Sequence, residues 1–381
     1  MTGSAYVLYP VIALKWHETL DCGGISREIF PKAATDGLNP NFRIHFSAAH
    51  AAYAVHTRFV KRAVGKIAAY VNQAYYHAAF YTVKLCLNKM QNKVKIAKGL
   101  MIGDKQMTPR IAAIHDLSGF GRCSLTVAIP ILSAMGLQCC PLPTAFLSTH
   151  TGGFKGYTFL DMTEEMGRTA EHWKSLNIEF QAIYTGFLGS ARQIEIVIRF
   201  INEFRGKDTV VVVDPVMGDE GELYSTYTEE LCEGMKTLAG LADVITPNLT
   251  EAALLLGMQY DELKDADSAL IAAERLGLDG RRSVVLTGVS SSESSIGAAC
   301  FDAGTGKREL IETRRIPQEF YGTGDVFSSV LTGALVRGEQ LPAAVRRAVE
   351  FTRLCGERTA AEGLPMSEGV DFEPLLGKLM K

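Results

Sequence analysis

The stretch YGTGDVFSSV (321–330) sets Gly322, Thr323 and Gly324 immediately ahead of Asp325 and an apolar run. Glycines at the mouth of a helix let unpaired main-chain N–H groups converge on one point, and the helix dipole favours an anion there. Asp325 would repel that anion unless it faces a second reactant. If that reactant is an alcohol, the carboxylate can take its proton as the oxygen attacks phosphorus, general-base help worth about 10²–10⁴-fold in rate. The amides would meanwhile hold charge on the transferring phosphoryl group. Asp is also a preferred N-cap residue, so Asp325 is expected to cap its helix loosely as well.

Other acids stand at comparable places. In DPVMGDEGELY (214–224), Asp214 follows four valines and heads an acidic group with Asp219, Glu220 and Glu222. Such an oxygen-rich setting suits hydrated Mg²⁺, although residues 219–222 also read as a plain solvated loop. TPNLTEAALL (246–255) puts Asn248 and Glu251 at a helix start, where the dipole alone favours an acid. DLSGFGRCS (116–124) offers Asp116 and Ser118 beside Gly119 and Gly121, which let a ligand approach the main chain or simply make a turn. STHTGGFKGY (148–157) turns at Gly152 and Gly153. Two common phosphate motifs are absent: there is no G-x-x-x-x-G-K-[ST], and GFGRCS lacks the third glycine of the dinucleotide fingerprint.

These residues need a frame that gathers them. From Arg110 onward, short β-branched runs alternate with helical-period stretches. Strands are predicted at 110–116, 137–145, 182–189, 209–218, 244–248 and 283–289. Helices are predicted near 122–135, 161–176, 190–205, 227–240, 249–257 and 262–276. That alternation implies βαβ units with right-handed crossovers and a mostly parallel sheet covered on both faces. The run VVVV fits a strand buried on both sides. Residues 297–316 read as an edge hairpin, followed by the helix opened at Gly324 and Asp325 and a last helix over 341–361. Ligands of such sheets bind beyond the carboxyl ends of the strands, where the motifs above fall.

The first hundred residues lack this rhythm. Residues 1–106 carry 14 Lys and Arg against 5 Asp and Glu, while 107–381 carry 25 against 37, so two segments of different character are expected. The first, irregular over 1–43 and helical over 47–100, reads as a basic N-terminal extension, with Met107 at the start of the second. A basic, aromatic-interleaved segment can bind nucleic acid or an anionic surface, but an appendage without its own function is the preferred reading. Eight cysteines without a C-x-x-C pair imply free thiols rather than a disulfide framework. No secretory leader is read at the start, and the charge-free span 67–83 is short and polar for a bilayer. A cytoplasmic enzyme is expected.

The order SGFG, STHTGGF, YTGFLGS, DPVMGD, TPNLTEAALL, VVLTGV, GTGD resembles the ribokinase-like small-molecule kinases, and specifically the pyridoxal/pyridoxamine (vitamin B6) kinases, over about residues 107–370. The resemblance implies a three-layer α/β/α sandwich, a homodimer, and transfer of the γ-phosphoryl of ATP to the 5′-hydroxymethyl group of a B6 vitamer. It implies Asp325 as base, with Gly322, Thr323 and Gly324 as the anion hole. Asp214 and Glu251 correspond to the acids that organise Mg²⁺, and Asn248 and Thr287 to nucleotide-phosphate contacts. Asp219 and Tyr224 fall in the flap over ATP, while Thr144, His150, Gly119 and Gly121 match the pocket for the substrate ring. Members often need a monovalent cation such as K⁺. Two departures stand out: Phe187 replaces a common Tyr, and Asp116 replaces a common Ser near the pyridine ring. A carboxylate there is expected to favour a charged group such as the aminomethyl of pyridoxamine. The nearest rival is a hydroxymethylpyrimidine or hydroxymethylpyrimidine-phosphate kinase, which shares these motifs. A non-catalytic nucleotide- or nucleic-acid-binding protein would not need Asp325.

Overall fold

Val210–Val213 forms a strand whose last three side chains are wholly buried, and the sheet around it explains why. In the computed structural model, which describes residues 107–224, 227–278 and 280–380, this strand is β5. Before it come β1 (Arg110–Ser118), α1 (Leu125–Ala134), β2 (Gln138–Leu147), β3 (Phe159–Asp161), α2 (Thr163–Ser175), β4 (Ala182–Thr185) and α3 (Ala191–Phe204). After it come β6 (Gly218–Asp219), β7 (Glu222–Leu223), α4 (Glu229–Ala239), β8 (Val244–Ile245), α5 (Leu249–Leu256) and α6 (Ala266–Leu276). The remainder is β9 (Ser283–Val289), β10 (Ser295–Asp302), β11 (Lys307–Arg314), α7 (Thr323–Val336) and α8 (Leu341–Glu362). The readings made for residues 1–106 lie outside the described residues.

Nine strands make one sheet in the order β11-β10-β9-β8-β5-β4-β1-β2-β3. The six central strands pair in parallel, while β3 and the β10–β11 hairpin are antiparallel edges. Alternation along the strands divides the core in two. Ala112, Ile114, Ile183, Val211 and Val213 pack with residues of α2 to α6, whereas Ile111, Ala182, Tyr184 and Val212 pack with α1, α7 and α8. The result is the expected three-layer sandwich. Helix α7 is its most enclosed helix, with Val326 through Ala334 buried without interruption.

The predicted strands 182–189 and 209–218 are shorter than their apolar runs suggest. The β4 ladder ends at Gly186, whose N–H still donates to the Ile114 carbonyl at 3.0 Å and where a Cβ would sit 2.2 Å from Nδ1 of His115. The chain leaves the ladder after Asp214, whose N–H still donates to the Thr185 carbonyl at 3.0 Å, and Gly218 to Leu223 folds into a separate two-stranded hairpin rather than a plain acidic loop. Two-residue strands carry no period for sequence reasoning to detect.

Candidate active site

Helix α7 begins at Gly322, whose φ of 77° is open to glycine and costly for other residues. A Cβ at this position would lie 2.0 Å from the Arg122 carbonyl oxygen, so the turn requires glycine on two grounds. Nothing stands within 4 Å of a Cβ built on Gly324, which leaves the helix mouth open. The Thr323 hydroxyl donates to the Phe320 carbonyl at 3.4 Å. Asp325 is the third residue of the helix and makes no capping hydrogen bond, which corrects the expectation of a loose cap. Its carboxyl is pushed up to about 7 by burial, against a Ser124 backbone N–H that favours the charged form and with the charge of Asp116 adding.

Asp214 lies 8% exposed directly beyond β5. Its Oδ2 lies 3.3 Å from the Ser328 hydroxyl, which also meets the Thr246 hydroxyl at 3.1 Å. Burial and then the charge of Asp325 hold the Asp214 carboxyl well above the usual range, while Thr246 and Ser328 oppose the shift. Glu251 is raised by burial and then by Asp214. The acids Asp116, Asp325, Asp214 and Glu251 thus form a file in which each of the last three feels its predecessor.

A capping box fixes the far end of the file. Oδ1 of Asn248 accepts the Glu251 N–H at 2.9 Å, and Oε2 of Glu251 accepts the Asn248 N–H at 2.8 Å. Oε1 of Glu251 accepts the Met217 N–H at 3.1 Å, tying the loop after β5 to α5. Nδ2 of Asn248 donates to the Gly218 carbonyl at 2.8 Å and to Oδ1 of Asp219 at 3.4 Å. The Gly221 N–H donates to the Thr250 hydroxyl at 2.8 Å, so the hairpin hangs on the first turn of α5. Asp219 is raised chiefly by burial. The half-exposed Tyr224 has its phenol pushed up by burial and then by Glu251, Asp219, Asp214 and Asp325, which sets its ring beside the file. Thr287 in β9 anchors its N–H and hydroxyl on the Pro247 carbonyl, at 2.8 and 3.4 Å.

At the other end, Asp116 is buried in β1 and accepts from the hydroxyls of Ser118 at 2.9 Å and Ser124 at 2.6 Å. Burial raises its carboxyl, against those two donors. Gly119 donates its N–H to the Leu147 carbonyl at 2.8 Å. Gly121 has φ 89°, and a Cβ there would meet the His150 ring at 2.2 Å. Both ring nitrogens of His150 are taken by the main chain: Nε2 at 2.7 Å from the Ser367 carbonyl and Nδ1 accepting the Gly152 N–H at 3.1 Å. That pattern requires the neutral tautomer protonated at Nε2. Thr144 is buried and donates to the Phe187 carbonyl at 3.1 Å, and the half-buried Phe187 ring meets Tyr227 edge to face.

Sequence reasoning passed over Ser124, Thr246, Ser328 and Tyr184. Tyr184 reads as a core aromatic within a strand, yet its wholly buried phenol is pushed up by burial and then by Asp325 and Asp214. Ser124 has no sequence signature for its φ of 52°. Among the described residues, no group of three or more His, Cys, Asp and Glu side chains could hold a metal alone. The donor set still suits Mg²⁺, which keeps several waters and takes one or two carboxylates together with phosphate oxygens. Both Glu251 oxygens already serve N–H groups, so its grip would pass through water. A separate open cavity of about 790 Å³, lined by Glu293, Arg314, Arg315, Ile316, Pro317 and Glu357 among others, contains none of the file.

The sequence profile of the family described as phosphomethylpyrimidine kinase matches residues 129–366. A pyridoxine/pyridoxal/pyridoxamine kinase of Bordetella avium is 31% identical over 271 residues, 67% of this chain and 86% of the relative. A Bacteroides thetaiotaomicron structure named as a phosphomethylpyrimidine kinase, in a form with pyridoxal, is 41% identical with a TM-score of 0.68. That match covers 72% of this chain and 96% of the other. A Leishmania donovani pyridoxal kinase in complex with ADP and pyridoxamine is 25% identical, with a TM-score of 0.65 and coverage of 71% and 95%. With its profile, its relatives and its sandwich agreeing, the chain belongs to the phosphomethylpyrimidine kinase family, among the ribokinase-like kinases that include those of vitamin B6.

Proposed function

We propose that this kinase transfers the γ-phosphoryl of ATP to the 5′-hydroxymethyl group of a B6 vitamer. The observation that carries the reading is the Asp325 carboxyl, raised to about 7 beside an open glycine turn at the start of α7. A base with that affinity for a proton is matched to neutral pH, where it can accept the hydroxyl proton and release it afterwards. The main-chain N–H groups of Gly322, Thr323 and Gly324 would receive the phosphoryl oxygens. Asp214, and Glu251 through water, would hold Mg²⁺, which supplies positive charge to offset that of the phosphates. Asn248, Thr287, Asp219 and Tyr224 would border the nucleotide phosphates, and the hairpin would cover them. On the alcohol side, Asp116 and Ser118 would face the ring, with Gly119 and Gly121 giving room and Phe187 an apolar wall. His150 and Thr144 act there by holding loops, since their polar atoms are already engaged.

A buried carboxylate without a cationic partner favours a substrate that brings one, so pyridoxamine is expected to be preferred over pyridoxal. Phosphorylation of hydroxymethylpyrimidine is the second reading, favoured by the description of the matching family. A coupled ATP-consumption assay over pyridoxal, pyridoxamine, pyridoxine and hydroxymethylpyrimidine tests both. Turnover is expected with the B6 vitamers, highest kcat/KM with pyridoxamine, and a loss of about 10²–10⁴-fold in Asp325→Asn. Turnover of hydroxymethylpyrimidine alone would replace the B6 reading by the second. Intact activity in Asp325→Asn would remove the assignment of the base.

A further inference from the structure

The segment after α8 returns across the alcohol side of the site. Met366–Glu368 forms a single 3₁₀ turn, and Glu373–Lys378 forms another. The Glu368 carbonyl accepts the Arg122 N–H at 3.1 Å, and the Ser367 carbonyl meets Nε2 of His150 at 2.7 Å. Nε of Arg122 donates to both Glu373 oxygens at 2.9 Å, and its NH2 group donates to Oδ1 of Asp371 at 3.2 Å. Asp371 is itself fixed, because it accepts from Arg358 at 2.6 Å and its N–H donates to the Thr359 hydroxyl at 2.8 Å.

The main chain of Arg122 is enclosed as tightly as its side chain. Its carbonyl oxygen lies where a Cβ on Gly322 would approach to 2.0 Å and one on Gly369 to 2.8 Å. Both glycines have φ 77°, so neither position accepts a side chain at low cost. Two residues further on, Ser124 is held at φ 52° while its hydroxyl reaches Asp116. Strain of this kind persists only where surrounding contacts over-determine it. Tyr321 adds a further contact, its ring filling the place of any Cβ on Gly152 at 2.6 Å.

We infer that Arg122 is a positioning residue, through which residues 366–373 hold the GTGD turn and the loop 119–124 against one another. The inference rests on the kinase reading only for what the two loops do. Arg122 touches no reactant; it sets the distance between the turn that would bind phosphate and the strand end that would bind the ring. A misplacement of about 1 Å between such groups can cost on the order of 10²-fold in rate.

Arg122→Ala, Arg122→Lys and Glu373→Gln, compared with the unaltered protein, test this by hydrogen exchange and by kinetics. In Arg122→Ala, amide exchange over residues 119–124 and 150–153 is expected to rise about tenfold or more, with β4 and β5 unchanged. Its kcat is expected to fall about 10- to 100-fold with little change in the KM for ATP. Glu373→Gln should show a smaller fall, and Arg122→Lys should recover most of kcat. Unchanged exchange in those segments overturns the inference. Raised exchange with kcat intact also overturns it, since that is the behaviour of a merely structural contact. If the unaltered protein phosphorylates none of the alcohols, the B6 reading fails separately and the exchange measurement alone decides the role of Arg122.

Discussion

Asp325 changes charge near neutrality, far above an exposed aspartate, and this has two measurable effects of opposite sense. A base must be ionised, so kcat/KM is expected to fall as the pH drops through about 7. Stability of the unliganded protein runs the other way. Below about 7 the folded chain keeps a proton that the unfolded chain releases, so stability is higher there and declines as the pH rises through the folded value. A lower Tm at about pH 8 than at about pH 6 is expected, and Asp325→Asn should reduce the difference to the part that Asp214, itself raised by burial, contributes; an unchanged slope in that variant would leave Asp214 as its source. The place of Asp325 in the first turn of α7 was legible in the sequence, because glycines and an acid before an apolar run mark a helix start. Its lack of a capping bond was not legible, since N-cap and third-residue positions differ only in a turn set by Arg122, 200 residues away. Ser124 and Tyr184 were hidden for the same reason, their importance lying in neighbours and not in type.

At the scale of elements, α7 links the two halves of the site. Its first turn offers the open N–H groups, and its buried face carries Ser328 to Asp214. Gly322→Ala strains both φ and the contact with the Arg122 carbonyl, and a loss of about 1–3 kcal/mol in unfolding free energy is expected together with a fall in kcat. Denaturant melts and turnover measured on the same preparation check this; a variant with both intact would mean the turn is looser than described. The central strands and most helices were readable from hydrophobic period alone, down to a β9 that spans the expected residues 283–289. The β6–β7 hairpin was not readable, because its four strand residues have no period and its position comes from Asn248 and Thr250. Edge strand β3 escaped similarly, with three residues, all exposed.

For the whole molecule, every described β-strand and α-helix lies within residues 110–362, and no described helix is long and apolar enough to cross a membrane. We propose that residues 107–381 form the complete kinase unit. A chain shortened to begin at Met107 is expected to fold and to keep its kcat, checked by circular dichroism and the coupled assay. Loss of folding would show that the basic extension contributes to the core. The six cysteines among the described residues are free, as their spacing implied. The clasp on Arg122 was beyond sequence reasoning, because its partners lie 249 and 251 residues further along the chain. That separation also sets an order in time. Chains are synthesised at roughly 5–20 residues per second, so Arg122 waits on the order of 10–50 s for Asp371 and Glu373 to be made. Until then the loop 119–124 lacks the contacts that close it, and Val370, Phe372 and Leu379 are missing from the core that covers Ile111 and Val212. A chain stalled before residue 368 is therefore expected to lack both the clasp and the last layer of that core.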